Sequence, residues 1–210
     1  MSNMVSIFLL ANKLEKDFSL TGLAYNFTKA TISLTNGLLL TSKKITLVRH
    51  GLSSRNAEKI IQGHPISRAK TPAEIILQGR EKPLVFLDSL REAHLYFLEG
   101  MTNGRNARQI NPKEYTALRE DPANFFVSCV YPIQELRGLA SETWRLILLT
   151  PGENFLVGTH KSTLRALICT ALGLTPERFH AIDINNCGIS AFNLNKRGDS
   201  MLQFNIEHDS

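Results

Sequence analysis

The chain has 210 residues, 43% of them hydrophobic and 20% charged, the ordinary make-up of a chain that buries one sizeable core, which excludes a disordered protein. Its formal net charge is +5 and its pI about 9.2, but Lys and Arg are scattered rather than clustered, which argues against nucleic acid and fits a basic cleft for a small anion. The three cysteines, Cys129, Cys169 and Cys187, show no CxxC spacing and so fit a reducing compartment rather than a disulfide framework or a zinc site.

The chain opens with the apolar run Val5 to Ala11, too short for a membrane span and without the preceding basic residue of a secretory signal. No membrane partner is therefore expected. Residues 1–43 are rich in Ser, Thr, Asn and Leu, with Glu15 and Asp17 as the only acids. They read either as a transit-like leader or as a poorly ordered extension, with the folded domain expected over 44–210. From Lys44 onward strand and helix patterns alternate, which predicts a three-layer αβα sandwich on a mainly parallel sheet. Lys44 to Val48 is a predicted strand, followed after Gly51 by a short helix. Pro65 to Gln78 is a predicted helix on the stripe Ile66, Ala69, Ala73, Ile76 and Leu77, with Pro72 kinking it or marking its start. Leu84 to Leu87 is a second strand. Residues 100–130 form an excursion over the sheet edge, with a short helix from Pro112 to Arg119. Pro132 to Leu149 is a long helix stopped by Pro151-Gly152. Asn154 to Thr159 is a strand, His160 to Leu172 a helix closed by Gly173, and Ile189 to Leu194 and Met201 to Ile206 are two closing strands.

Two places share one architecture. Lys44 to Val48 and Asn154 to Thr159 each run a buried strand to a histidine, His50 and His160, where a helix begins. In open α/β sheets the carboxyl ends of strands border the ligand crevice, and a helix starting there aims free N–H groups and a partial positive charge outward. One strand-end histidine is more often a hydrogen-bonded structural residue. Two in equivalent settings, one of them beside Arg49, point to a shared anion.

Arg49-His50-Gly51 with Ser53 and Asn56 resembles the signature of the histidine phosphatase superfamily, phosphoglycerate-mutase-like branch. Further segments follow in that family's order. Ile66-Ser67-Arg68-Ala69 is similar to the segment carrying its second arginine. Leu90-Arg91-Glu92 followed by Glu99-Gly100 is similar to the one carrying its proton donor. Thr159-His160 with Arg165-Ala166-Leu167 is similar to its second-histidine segment, and Asn186 to Ser190 to the strand entry that follows. Within the branch, LYFLEG (95–100), REDPANF (119–125) and YPIQEL (131–136) resemble plant 2-carboxy-D-arabinitol-1-phosphatase-like proteins.

The resemblance implies a phosphomonoesterase acting on a small phosphorylated metabolite, such as the sugar phosphate 2-carboxyarabinitol 1-phosphate. His50 would form a phosphohistidine, dividing one hard displacement into two easier ones. Arg49, Arg68 and His160 would surround the phosphoryl oxygens, and Glu92 would protonate the leaving oxygen and then activate water. Ser53, Asn56 and Lys161 would contribute substrate contacts. No cofactor or metal is implied, because two arginines and an imidazolium supply the positive charge. The plant likeness implies a chloroplast location, with the cytoplasm as the alternative.

Single-residue readings stay open beside these. Arg68 and Glu92 would each serve as solvated surface charges, and Lys161 would equally point into water. His94 reads as structural, and His64, His180 and His208 carry no signal. A phosphoglycerate mutase is the enzymatic competitor. It would need an enclosing cap, for which Arg105, Arg108 and Lys113 offer only a short excursion, and hydrolysis is the default where the cap is incomplete. In the superfamily a helix and a core strand separate the first motif from the second-arginine segment, whereas here Gly63 leads at once into His64-Pro65-Ile66-Ser67-Arg68. One helix–strand unit is thus missing after Gly63. An interior gap would leave backbone groups unpaired and exhaust a stability of about 5–15 kcal/mol, unless Ala30 to Leu40 fills it. An impaired relative that binds phospho-ligands or partners is therefore the alternative to an enzyme.

Overall fold

A computed structural model describes residues 7–10, 24–27, 39–51, 84–95, 101, 106–196 and 200–203. Its strands are β1 (Ile7–Leu10), β2 (Ala24–Phe27), β3 (Lys43–Arg49), β4 (Leu84–Phe86), β5 (Asn154–Thr159), β6 (Ile189–Leu194) and β7 (Ser200–Gln203). They form one sheet in the order β2-β7-β6-β3-β5-β1-β4. The α/β class is as expected, but the sheet is mixed. Among its neighbouring pairs only β3 and β5 run parallel, with Ile45 beside Phe155 and Val48 beside Gly158. β6 returns antiparallel along the other side of β3, and β1 lies antiparallel between β5 and β4. The position beside β5 that a missing unit would leave open is therefore filled from the N-terminal extension. The segment that fills it is Ile7–Leu10 rather than Ala30 to Leu40, of which Leu39 and Leu40 alone are described.

The helices are α1 (Asn106–Ile110), α2 (Pro112–Glu120), α3 (Pro132–Leu149) and α4 (Lys161–Ala171), with 3-10 turns at Asp88–Leu90 and Pro176–Ala181. α3 starts on Pro132, whose missing N–H costs nothing in a first turn, and buries Ile133, Leu136, Ala140, Trp144 and Ile147 at helical spacing. α4 packs against α3 and β3. Trp144 joins these layers: its ring meets Phe192 of β6 edge to face at 5.1 Å, and its indole N–H donates to the Leu167 carbonyl at 2.8 Å. Full burial of such a side chain contributes about 3 kcal/mol. At the far end of β3 the buried Lys43 ammonium caps α3, donating to the Thr150 and Gly152 carbonyls at 2.7 and 3.0 Å. The predicted helices after Gly51 and over Pro65 to Gln78 lie outside the described residues.

Candidate active site

β3 and β5 are adjacent and parallel, so their carboxyl ends coincide, and this alone brings two histidines distant in sequence together. The His50 and His160 rings stand edge to face, 5.0 Å between centroids. Both are buried, 6% and 2% exposed, so each is shielded from bulk water while remaining close to the other. The strand ends are tied by backbone bonds. His50 N–H donates to the Thr159 carbonyl at 3.1 Å, and Arg49 N–H to the Gly188 carbonyl at 3.0 Å. His50 Nδ1 lies 2.7 Å from the Gly51 carbonyl, a contact that requires the proton on Nδ1 and, in the neutral ring, leaves the lone pair on Nε2. His160 caps α4: its carbonyl accepts from Leu164 N–H at 2.9 Å.

Glu92 reaches this pair from the turn after β4. Its Oε2 lies 3.9 Å from His160 Nδ1, and its Oε1 accepts from the Ala93 amide at 3.2 Å. Three buried hydroxyls fix the segment that carries it. The Ser89 and Thr143 hydroxyls bond each other at 2.7 Å, with the Leu139 carbonyl accepting from Thr143 at 3.0 Å, while Thr159 donates to the Leu90 carbonyl at 2.5 Å and Thr163 to the Arg91 carbonyl at 2.6 Å. α3, β5 and α4 thus each hold one link of the chain leading to the carboxylate.

Arg49 Nη1 donates to the Ile184 carbonyl at 2.7 Å. Its buried Nε has no hydrogen-bond partner among the described residues. Burial lowers the Arg49 pKa, and the charges of Glu92 and Asp183 oppose that shift. Gly188 sits at a close approach: a Cβ there would lie 2.8 Å from the Asn185 carbonyl, so a side chain would push away the loop on which both Arg49 contacts rest.

Lys161, one residue past His160, is ion-paired with Asp183. Asp183 also takes Arg165 Nη2 at 3.0 Å and the Ile184 amide at 3.1 Å. Burial pushes the Asp183 carboxyl up, but the hydrogen bond and charge of Lys161, with Arg165 and the Ile184 amide, hold it below the ordinary value. Arg165 Nε donates to the Ile182 carbonyl at 2.7 Å, and its Nη1 lies 3.3 Å from His180 Nδ1. His180 Nε2 in turn lies 2.8 Å from the Leu118 carbonyl. Burial lowers the His180 pKa, with Leu118 opposing, and a carbonyl at Nε2 with a guanidinium at Nδ1 suits the tautomer that carries its proton on Nε2.

His50, His160, Arg49 and Glu92 therefore meet at one end of the sheet. Ser53, Asn56 and Arg68 lie outside the described residues. His94, Arg108 and Lys113 are exposed. Thr143, Thr163, Asp183 and His180 carried no sequence motif of their own, and Thr159 entered only as the neighbour of His160, because each acts through contacts distant in the chain.

Two imidazoles, a guanidinium and a carboxylate gathered at the ends of parallel strands define an α/β protein of the class that takes anionic ligands at its strand ends. A family profile described as histidine phosphatase superfamily (branch 1) matches residues 65–207, well over half of the chain. The chain belongs to the histidine phosphatase superfamily. It is 31% identical over 191 residues to a protein of Arabidopsis thaliana named "Probable 2-carboxy-D-arabinitol-1-phosphatase", covering 76% of this chain and 39% of that protein. It is 30% identical over 188 residues to 2-carboxy-D-arabinitol-1-phosphatase of Triticum aestivum, covering 72% and 37%. The chain thus spans well under half the length of these relatives. The alpha-ribazole phosphatase structure from Shigella flexneri shares the fold with a TM-score of 0.68 at 18% identity, over 78% of this chain and 96% of that one. The phosphoserine phosphatase of Entamoeba histolytica, in complex with 3-phosphoglyceric acid, gives 0.62 at 20%, over 79% and 98%. No helix among the described residues is long and apolar enough to cross a membrane.

Proposed function

We propose that the chain hydrolyses a small phosphomonoester through a phosphohistidine at His50. The observation that carries this reading is the edge-to-face His50–His160 pair with the Glu92 carboxylate 3.9 Å from His160. The lone pair on His50 Nε2 attacks phosphorus and the ester P–O bond breaks. Glu92, protonated at that moment, gives its proton to the departing alkoxide. Water then attacks the phosphohistidine, Glu92 takes its proton, the N–P bond breaks and inorganic phosphate leaves. Arg49 and His160, with Arg68, hold the negative charge on the equatorial oxygens. Ser53 and Asn56 add neutral donors, and Lys161 acts on phosphate only when released from Asp183.

The names of the plant relatives favour a sugar phosphate, 2-carboxyarabinitol 1-phosphate, as substrate, and with it a chloroplast location. The test is phosphate release from an aryl phosphate and from that sugar phosphate, comparing the parent with His50→Ala. The expected result is turnover by the parent, none by the variant, and an acid-labile phosphoryl group trapped on the parent. Equal rates would remove His50 as nucleophile. A parent that binds phosphate esters without hydrolysing them would replace the enzyme reading with that of an inactive binding relative.

A further inference from the structure

We infer that the sheet position between β4 and β5 is a strand-acceptor slot filled by the chain's own segment Ile7–Leu10, and that the seating of this segment holds Glu92 within reach of His160. The second clause rests on the active-site reading above. The first stands on backbone pairing alone.

β3, β5 and β4 run in one direction, and β1 runs against its two neighbours. A strand reached from β3 by a crossover would be expected to run parallel to it, so an antiparallel occupant at this place comes from elsewhere in the chain. In the chain β1 is followed by β2, which pairs with β7 at the opposite edge of the sheet, and then by β3. The alignment with the Arabidopsis relative points the same way. Its 191 positions use 76% of this chain, about 160 of 210 residues, so the relative carries about 30 positions that this chain lacks. About 30 residues is the size of a strand with its crossover helix. A chain short by about that many positions is consistent with a sheet whose penultimate position is filled from the N-terminus.

The occupant suits the slot. Ile7-Phe8-Leu9-Leu10 contains no polar or charged residue, the composition of a strand covered on both faces. Ile7, Phe8 and Leu9 pair with Phe86, Val85 and Leu84 on one side, and Ile7 through Leu10 pair with Gly158, Val157, Leu156 and Phe155 on the other. Phe155 and Val157 are fully buried, so an empty slot would leave backbone groups of an interior strand without partners. Among the described residues β1 is the sole sheet neighbour of β4. β4 leads directly into the Asp88–Leu90 turn and Glu92, so β1 fixes the strand that enters this segment, while Thr159, Thr163 and Thr143 hold its far end. Removal of Ile7–Leu10 would vacate the slot.

The experiment compares the full chain, a chain lacking residues 1–12 and the full chain carrying Phe8→Pro, which removes an amide donor from the middle of β1. Hydrogen–deuterium exchange over 84–92 and 154–159 is followed with melting temperature and aryl-phosphate turnover. The expected result is exchange faster by at least about tenfold in both segments and a lower melting temperature in both variants. A synthetic peptide of residues 1–12, but not its scrambled form, should restore protection. If the truncated chain does not fold, refolding with the peptide should recover it, and failure to do so would overturn the assignment, as would unchanged protection in both variants. Loss of protection in a protein whose parent shows no turnover would overturn the clause on Glu92 and leave the slot standing. A parent that is a dimer, losing protection on dissociation, would assign the slot to a second copy and overturn the intramolecular assignment.

Discussion

Replacing Thr159 by valine tests how Glu92 is held beside His160. The Thr159 hydroxyl is fully buried and donates to the Leu90 carbonyl at 2.5 Å, and Thr163 makes the equivalent bond to the Arg91 carbonyl at 2.6 Å. Valine keeps the shape of threonine and removes the donor, which leaves a buried carbonyl short of a partner at a cost of about 1–3 kcal/mol. In a chain of this size each kcal/mol lowers the melting temperature by about 2–4 °C, so Thr159→Val should melt about 2–12 °C below the parent by calorimetry. The two hydroxyls hold consecutive peptide groups of one segment. Their losses should therefore be non-additive, with a coupling of at least about 0.5 kcal/mol in the Thr159→Val/Thr163→Val cycle. Turnover should fall with little change in KM, because Glu92 acts on the leaving oxygen and on water rather than on ground-state binding. Thr159→Ser retains the hydroxyl and should recover both properties. A Thr159→Val protein with the melting temperature and turnover of the parent would refute this account of how the carboxylate is positioned.

Lys43→Met should lose about 1–2 kcal/mol in urea unfolding: burial already lowers the ammonium pKa, but its loss strips a charged donor from the Thr150 and Gly152 carbonyls and from the Phe155 ring, 4.6 Å away. A variant as stable as the parent would show that the cap contributes nothing net. Ser128 and Cys129 both adopt left-handed backbone (φ 50° and 66°) in the turn closed by the paired Val127 and Val130 bonds, so Ser128→Asn/Cys129→Gly should stabilise the chain by about 1 kcal/mol, read by the same unfolding curve. The folded pKa of His180 is depressed, so the unfolded chain binds the extra proton first. Stability from this group is complete above the ordinary value of 6.5 and is lost as pH falls through the lower folded value. Asp183, also depressed, adds a second loss below 3.8. His180→Gln should flatten the upper of these two slopes in unfolding measured against pH, and an unchanged slope would assign it to other groups.

Much of the fold was legible along the chain. Pro132 at the head of α3, its apolar stripe and the Pro151-Gly152 stop mark the helix at both ends, and the strand ending at Thr159 matches its predicted bounds. These are contests among neighbours in sequence: backbone restriction, a missing N–H and the period of apolar residues. The meeting of His50 and His160 was legible for a related reason, since parallel adjacent strands place equivalent ends together. The mixed sense of the sheet was not legible, because nothing in Ile7-Phe8-Leu9-Leu10 states which strand it joins or in which direction. Nor could the sequence say that Lys161 is held by Asp183, or that threonines of three elements hold the Glu92 segment. By itself, then, the sequence determined the local elements and the chemical groups available at the strand ends. The tertiary structure decided which segment occupies the slot beside β5 and which partner holds each charge, because every distant segment competes for those backbone and side-chain bonds and the outcome depends on what the rest of the fold leaves open.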